Sequence, residues 1–234
     1  MILMNEINII YDKLIEEYSP QGWWPLTSFN GANPTKTGAL KGYHPGNYSF
    51  PKNSFEQFEI IIGAILTQNT SWVSVEKSLL NLKKLIDFTP YELLNLAKND
   101  EDSFKHAIKP SGYYNQKFNY LINVSEFFIS LNNKTPLRSE ILEVKGVGPE
   151  TADSILLYAY REKEFVVDAY TKRMFSYLKI INETDSYLKI KELFEENFKG
   201  GFKEYQEYHA LIVEHGKRYY SKKPYGVMDK VLKR

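Results

Sequence analysis

Residues 137–160 read LRSEILEVKGVGPETADSILLYAY, two short apolar segments joined by a glycine-rich connection. Leu137 to Glu143 suits a short helix. Thr151 to Tyr160 places Ala152, Ile155, Leu156 and Ala159 at the spacing of one helical face. Between them, Gly146 and Gly148 allow backbone angles closed to other residues. Pro149 fits the first helical turn, where its missing N–H is not needed. The stretch therefore predicts two helices bridged by a tight turn. The first N–H groups of the second helix lack helical partners and carry the positive end of its dipole. With no side chain at Gly146 or Gly148 to block approach, the turn suits a phosphate oxygen. Such a contact positions a nucleic-acid backbone without reading its sequence. A plain turn between two core helices is the competing reading.

Downstream, the apolar run Phe165-Val166-Val167 delivers Asp168 to the start of a further helix, with Met174 and Leu178 on its inner face. Alone, an aspartate there reads as an N-cap, worth typically ~1 kcal/mol. Its place just after an anion-binding hairpin adds a second reading, a carboxylate serving a cleft.

Upstream, the pattern is helical from Ser54 to about Arg161. Ser54 can cap a helix with Phe55, Phe58, Ile62 and Leu66 on one side, and Thr67 to Ser71 interrupts it. Val75, Leu79, Leu82 and Ile86 mark the next helix. Pro90 opens another, Lys109 to Gly112 is a turn, and Lys117, Leu121 and Phe127 continue the helical period. Residues 6–18 carry Ile7, Ile10, Leu14 and Ile15 on one stripe. Residues 28–54 are rich in Gly, Asn, Pro and Ser without a period. A loop that long inside a compact domain is functional or mobile. No strand alternation is visible, so the expected fold class is all-α.

Composition narrows the chemistry. The 234 residues include no cysteine, which excludes disulfides, thiolate zinc sites and cysteine-held iron–sulfur clusters. His44, His106, His209 and His215 show no helical ligand spacing, so no metal is expected. No apolar run approaches the roughly 18 residues of a membrane span, and the N-terminus lacks the features of a signal peptide. The expectation is an intracellular (cytoplasmic) protein without membrane contact. Net charge is only +1. Yet from His215 to Arg234 the basic residues Lys217, Arg218, Lys222, Lys223, Lys230, Lys233 and Arg234 face Asp229 as the sole acid. That tail can meet phosphate, or it can be a solvated, frayed terminus. Aromatics reach 15% with 18 tyrosines, suited to base stacking or to a core.

Val144-Lys145-Gly146-Val147-Gly148-Pro149-Glu150-Thr151-Ala152, with Val166-Val167-Asp168 a short distance on, resembles the signature of endonuclease III-like, helix-hairpin-helix DNA glycosylases. Ile65-Leu66-Thr67-Gln68-Asn69-Thr70 and His209 to Lys217 match the same family. The resemblance spans about residues 55–220. Within it, Trp23-Trp24-Pro25, Leu66 to Thr70, Lys109 to Lys117 and the hairpin ending in Glu150 are similar to the 3-methyladenine DNA glycosylase III type.

The resemblance implies two helical lobes with an active-site cleft between them: a barrel over residues 50–160 carrying the hairpin at 137–160, and a second lobe of residues 1–49 plus 161–234. It implies Asp168 as the catalytic carboxylate and a base pocket from Trp23, Trp24, Pro25, Trp72 and Lys217. DNA contacts fall to Gln68, Asn69, Lys145, Gly146, Val147, Gly148, Glu150 and Thr151. The partner would be double-stranded DNA with a damaged base, bound by a monomer without cofactor. Bifunctional members carry a lysine where this chain has Glu150, and a carboxylate cannot form an imine. Many members also hold an iron–sulfur cluster on four C-terminal cysteines. Here Tyr220 and its neighbours stand in that region, and packing of Tyr219, Tyr220 and Tyr225 would replace it. The branch's modified lysine falls at Leu211, and the 28–54 loop has no clear counterpart there.

The implied reaction is flipping of an N-alkylated purine and hydrolysis of its glycosidic bond. Trp24 and Trp72 would sandwich the cationic base, and Gln68 or Asn69 would fill its place in the duplex. The alternatives are oxidised, deaminated or mismatched bases, or a non-catalytic DNA-binding protein.

Overall fold

The computed structural model describes residues 2–36 and 41–232; loop positions 37–40 and the basic residues Lys233 and Arg234 lie outside them. The described residues form helices and connections with no strand, as the periodicity predicts. In chain order the helices are α1 (Ile2–Tyr18), α2 (Ser54–Leu66), α3 (Trp72–Leu82), α4 (Pro90–Asn99), α5 (Glu101–Ile108), α6 (Tyr114–Ser130), α7 (Arg138–Leu142), α8 (Pro149–Ser154), α9 (Ala169–Tyr177), α10 (Tyr187–Asn197) and α11 (Phe202–Tyr219).

Helices α2 to α6 pack on one another, α1 packs against α10 and α11, and α9 packs against α11, while the stretch Ile155–Tyr160 touches both α2 and α11. Burial explains these contacts. Ile7 and Leu14 of α1, Ile62 and Ile65 of α2, and Tyr208, Leu211 and Ile212 of α11 are all fully enclosed. Each such side chain contributes on the order of 2 kcal/mol.

Helix boundaries follow local chemistry, with small shifts from expectation. The cap of α2 is Asn53 rather than Ser54: the Asn53 side chain accepts the Glu56 N–H at 2.9 Å. Phe55, expected on the buried face, is 48% exposed, because the first turn of α2 projects beyond the core that encloses Phe58 and Ile60 to Leu66. Pro90 opens α4 behind a Thr89 cap, as predicted.

The second hairpin helix departs from a regular spiral. After Ser154 the chain widens into a π-helical stretch, Ile155–Tyr160. A π turn closes each hydrogen bond one residue later than an α turn and shifts the side-chain register. Ile155 to Ala159 are all buried, so no solvent face enforces the ordinary period. Arg161 then takes a left-handed conformation, and its guanidinium donates to the Ser49, Phe50 and Pro51 carbonyls. It thereby ties the hairpin's exit to the long loop.

The 28–54 loop is stitched onto the tryptophan segment. Leu26 N–H donates to Gly42 O, Tyr43 N–H to Gly31 O and His44 N–H to Gly22 O. A His44 ring nitrogen lies 2.9 Å from Trp24 O.

As far as Leu232, the C-terminal segment is folded rather than frayed. α11 runs to Tyr219, and the following turns fold around buried Asp229. One Asp229 oxygen meets His215 Nε2 and Tyr220 OH, each at 2.9 Å; the other accepts the Val231 and Leu232 N–H groups. Burial alone would raise this carboxyl, yet the bonds from His215 and Leu232 hold it below the usual range. Lys222, Lys223 and Lys230 remain exposed on that frame.

Candidate active site

Asp168 is the N-cap of α9. Its Oδ1 accepts the Thr171 N–H at 2.7 Å and the Thr171 hydroxyl at 2.8 Å. Oδ2 accepts nothing from the described residues, and the side chain keeps 9% exposure. Buried Phe165, Val166 and Val167 fix the approach. Buried Asp153 fixes the register against the hairpin: Arg138 grips both its oxygens, at 2.6 and 3.1 Å, so α7 and α8 are clamped together. Tyr187 donates to the same Asp153 at 2.7 Å and lies 3.4 Å from the Val167 N–H.

The charge of Asp168 reaches Glu150, His209 and Lys217. The Glu150 carboxyl is raised to about 7, first by the protein mass crowding it and then by Asp168, with Lys172 opposing. Its side chain is nonetheless exposed to solvent at the start of α8. His209 on α11 is lowered by burial, against the pull of Asp168. Lys217, also on α11, is lowered by burial, against Glu214 and Asp168. The two helices approach closely because residue 216 is glycine: a Cβ there would stand 2.4 Å from the Tyr170 ring of α9.

The tryptophans meet one another. Trp23 and Trp72 lie 4.6 Å apart between ring centroids, Trp24 and Trp72 5.4 Å with planes at 89°. Edge-to-face rings at that distance leave no parallel-walled gap, so the expected Trp24–Trp72 sandwich is not present in this arrangement. Each ring instead shields the other's edge. Gly63 of α2 admits Trp24, whose indole atoms stand 3.0–3.3 Å from where a Cβ would sit. Trp23 and Lys217 line one crevice with Tyr43. Pro25 and Trp72 line a separate groove of about 240 Å³ with Lys41 and Glu76.

The hairpin meets two other loops on one rim. Gln68 Nε2 donates to Gly146 O at 2.9 Å and to Thr151 Oγ1 at 3.1 Å. Thus Gln68 and the Thr151 hydroxyl are engaged inside the protein, while Asn69 is exposed in a left-handed conformation, φ 53°. Lys145 is exposed, and its carbonyl accepts from Asn123. Val147 is buried beneath the turn. Gly146 needs its identity, at φ +102° and with the Tyr120 ring 2.2 Å from a would-be Cβ. Gly148 does not need unusual angles: φ −94° and ψ 176° are open to any residue, and nothing stands within 4 Å of its would-be Cβ. It is simply bare backbone facing solvent.

Two residues here, noted in the sequence only for their helical period or motif, were not among the expected site residues. Buried Lys117 donates to Leu66 O and Ser111 O, each at 2.8 Å, joining the end of α2 to the turn before α6. Burial brings its pKa down to about 8. Tyr113 is 67% exposed at φ 48°, an unusual conformation for a bulky side chain. Its signal was the Gly112-Tyr113 pair in a turn, which composition alone cannot separate from an ordinary surface tyrosine.

Residues 62–200 match the model of the HhH-GPD superfamily base excision DNA repair proteins. The chain belongs to that family. A Methanocaldococcus jannaschii protein with the provisional name DNA repair glycosylase MJ1434 is 42% identical over 225 residues, covering 92% of this chain and 88% of that protein. Endonuclease III of Sulfolobus acidocaldarius is 28% identical, covering 69% of this chain and 73% of its own. Among solved structures, the H. pylori 3-methyladenine DNA glycosylase MagIII bound to 1,N6-ethenoadenine shares 26% identity with a TM-score of 0.65, covering 91% of this chain and 97% of that one. A trapped endonuclease III–DNA intermediate shares the fold at a TM-score of 0.72, with 17% identity and coverage of 95% and 90%. The HhH-GPD fold thus accounts for the all-helical architecture. Among the described residues no helix is long and apolar enough to cross a membrane, and no cluster of His, Asp or Glu could hold a metal ion.

Proposed function

We propose that this HhH-GPD protein is a monofunctional DNA glycosylase that removes N-alkylated purines such as 3-methyladenine from double-stranded DNA. The observation that carries the reading is the one-sided anchoring of Asp168, which leaves Oδ2 free, while its charge acts on Glu150, His209 and Lys217. A flipped nucleotide would bring its sugar to that oxygen. Asp168 then stabilises positive charge developing on the sugar, or directs the attacking water. An N-alkylated purine is cationic and already a good leaving group. Aromatic faces attract it by roughly 0.5–2 kcal/mol, and Trp23, Trp24, Pro25 and Trp72 supply that surface with Lys217 at its edge. Entry of a base requires the tryptophans to part.

The exposed backbone at Gly148 and the opening N–H groups of Glu150 and Thr151 would hold phosphate, with Lys145 beside them. Asn69 and Tyr113 are the exposed residues on the rim suited to filling the vacated space. Residues 50–160 and the remainder would form the two lobes. The similarity to MagIII supports the alkylpurine reading. The endonuclease III relatives support the alternative of oxidised bases.

Glu150 cannot form an imine, which favours hydrolysis without strand cleavage. Lys217, half-buried with a lowered pKa, is the amine nearest in role to a lyase nucleophile. A panel of duplexes, each with one defined lesion, tests the substrate. Abasic product from 3-methyladenine duplexes is expected, with no protein–DNA adduct on borohydride reduction. Release of oxidised pyrimidines alone would shift the substrate. A borohydride adduct lost in Lys217→Gln would make the enzyme bifunctional. Trp72→Ala should slow excision of alkylated bases; an unchanged rate would remove Trp72 from the pocket.

A further inference from the structure

His209 Nδ1 lies 2.7 Å from the Tyr158 hydroxyl. That hydroxyl has one hydrogen, and the Gln206 carbonyl oxygen, 3.1 Å away, can only accept. The arrangement that makes both contacts hydrogen bonds leaves the Tyr158 oxygen as an acceptor and puts the proton on His209 Nδ1. In a neutral imidazole, Nε2 is then a bare acceptor. Burial favours the neutral ring. Nε2 pairs with no described residue, and the side chain keeps 7% exposure.

The same tyrosine places this nitrogen. The Tyr158 ring packs on Trp24 with centroids 5.3 Å apart, and Asp168 acts electrostatically on both Tyr158 and His209. Tyr158 thus links His209 to the tryptophan cluster, and both residues feel the charge of Asp168. The tryptophans have the opposite need: the Nε1–H groups of Trp23, Trp24 and Trp72 are all buried without an acceptor. A ligand that completes this set presents one N–H donor to His209 and ring acceptors to the indoles.

We infer that His209 is a specificity-determining residue whose Nε2 accepts a hydrogen bond from the exocyclic amino group of the extruded base, selecting aminopurines over the same ring without that group. The inference rests on the glycosylase reading for its biological setting, though not for its test. A site built to pair with an N–H discriminates strongly against an analogue lacking it, because its own buried polar group is left unmatched.

The test uses the whole protein labelled with 15N in its imidazoles. In the free protein, His209 Nε2 is expected to resonate as an unprotonated nitrogen. Free 3-methyladenine should shift that resonance and bind about tenfold or more tightly than 3-methylpurine, the same ring without the amino group. His209→Asn retains an amide donor for Tyr158 but has no atom at Nε2. It should bind the two bases equally and lose about tenfold in excision of 3-methyladenine from methylated duplex. A protonated Nε2, equal affinities in the wild type, or a preference retained in His209→Asn would overturn the inference. Absence of abasic product from every duplex would sink the glycosylase reading, while the free-base titration would still decide on His209.

Discussion

Thr171 holds Asp168 by one oxygen only: Oδ1 accepts both its N–H and its hydroxyl, at 2.7 and 2.8 Å, and Oδ2 accepts nothing from the described residues. The cap and the proposed catalytic role are thereby divided between its oxygens. Oδ1 caps a helix, and Oδ2 would serve the proposed reaction. Asp168→Asn keeps the capping oxygen, so unfolding free energy should change by less than about 1 kcal/mol. The negative charge is lost, and single-turnover excision should fall by several orders of magnitude while affinity for lesion DNA survives. An asparagine variant with the wild-type rate would remove Asp168 from the mechanism.

The two hairpin glycines separate stability from binding. Gly146→Ala places a methyl group on Tyr120 at φ +102° and should cost several kcal/mol in denaturant unfolding. Gly148→Ala meets no atom of the protein and suits its φ of −94°. Its methyl would stand on the surface that phosphate must approach. It should leave unfolding unchanged or slightly improved, yet weaken DNA binding about tenfold by anisotropy. Unimpaired binding would move the phosphate away from this turn.

Gln68 reports on how the rim is assembled. Its amide reaches across to Gly146 O and Thr151 Oγ1, so it ties the α2–α3 turn to the hairpin. Gln68→Ala removes both bonds and leaves a carbonyl short of a donor, at a cost of about 1–2 kcal/mol. Amide exchange at the hairpin should quicken, and DNA affinity should fall with it. A hairpin whose exchange is unchanged would show that the tie is ornamental.

The hairpin and the place of Asp168 were legible because glycine, proline and a capping aspartate act through local backbone geometry. Helix faces were legible from period, apart from the ends: Asn53 and Ser54 are equally good caps on paper, and only the Glu56 N–H separates them. What sequence could not show depends on pairs far apart in the chain. Gln68 finds Gly146 and Thr151, and His209 takes its tautomer from Tyr158, by packing rather than by pattern. The π-helical stretch was hidden for a related reason. Its residues are buried all round, so apolarity carried no phase. The tryptophans were identified as a group, but their edge-to-face closure depends on Gly63 and on the loop that returns across them.

The raised Glu150 carboxyl predicts a pH dependence of stated direction. Crowding by protein, and then the charge of Asp168, raise its carboxyl to about 7, above the ordinary 4.5. A raised carboxyl keeps its proton in the folded state where the unfolded chain has lost it. Its contribution therefore favours the folded state less as pH rises from about 4.5 to about 7, and is level beyond. DNA follows the same sign. Below pH 7 the hairpin offers phosphate a neutral acid, and above it a carboxylate that repels. Affinity for duplex should decline between pH 6 and about 8, and Glu150→Gln should flatten that decline while binding at least as tightly at pH 8. Fluorescence anisotropy at constant ionic strength reads the difference. A wild-type profile already flat over this range, or a glutamine variant that titrates like the wild type, would place the Glu150 carboxyl away from the DNA path.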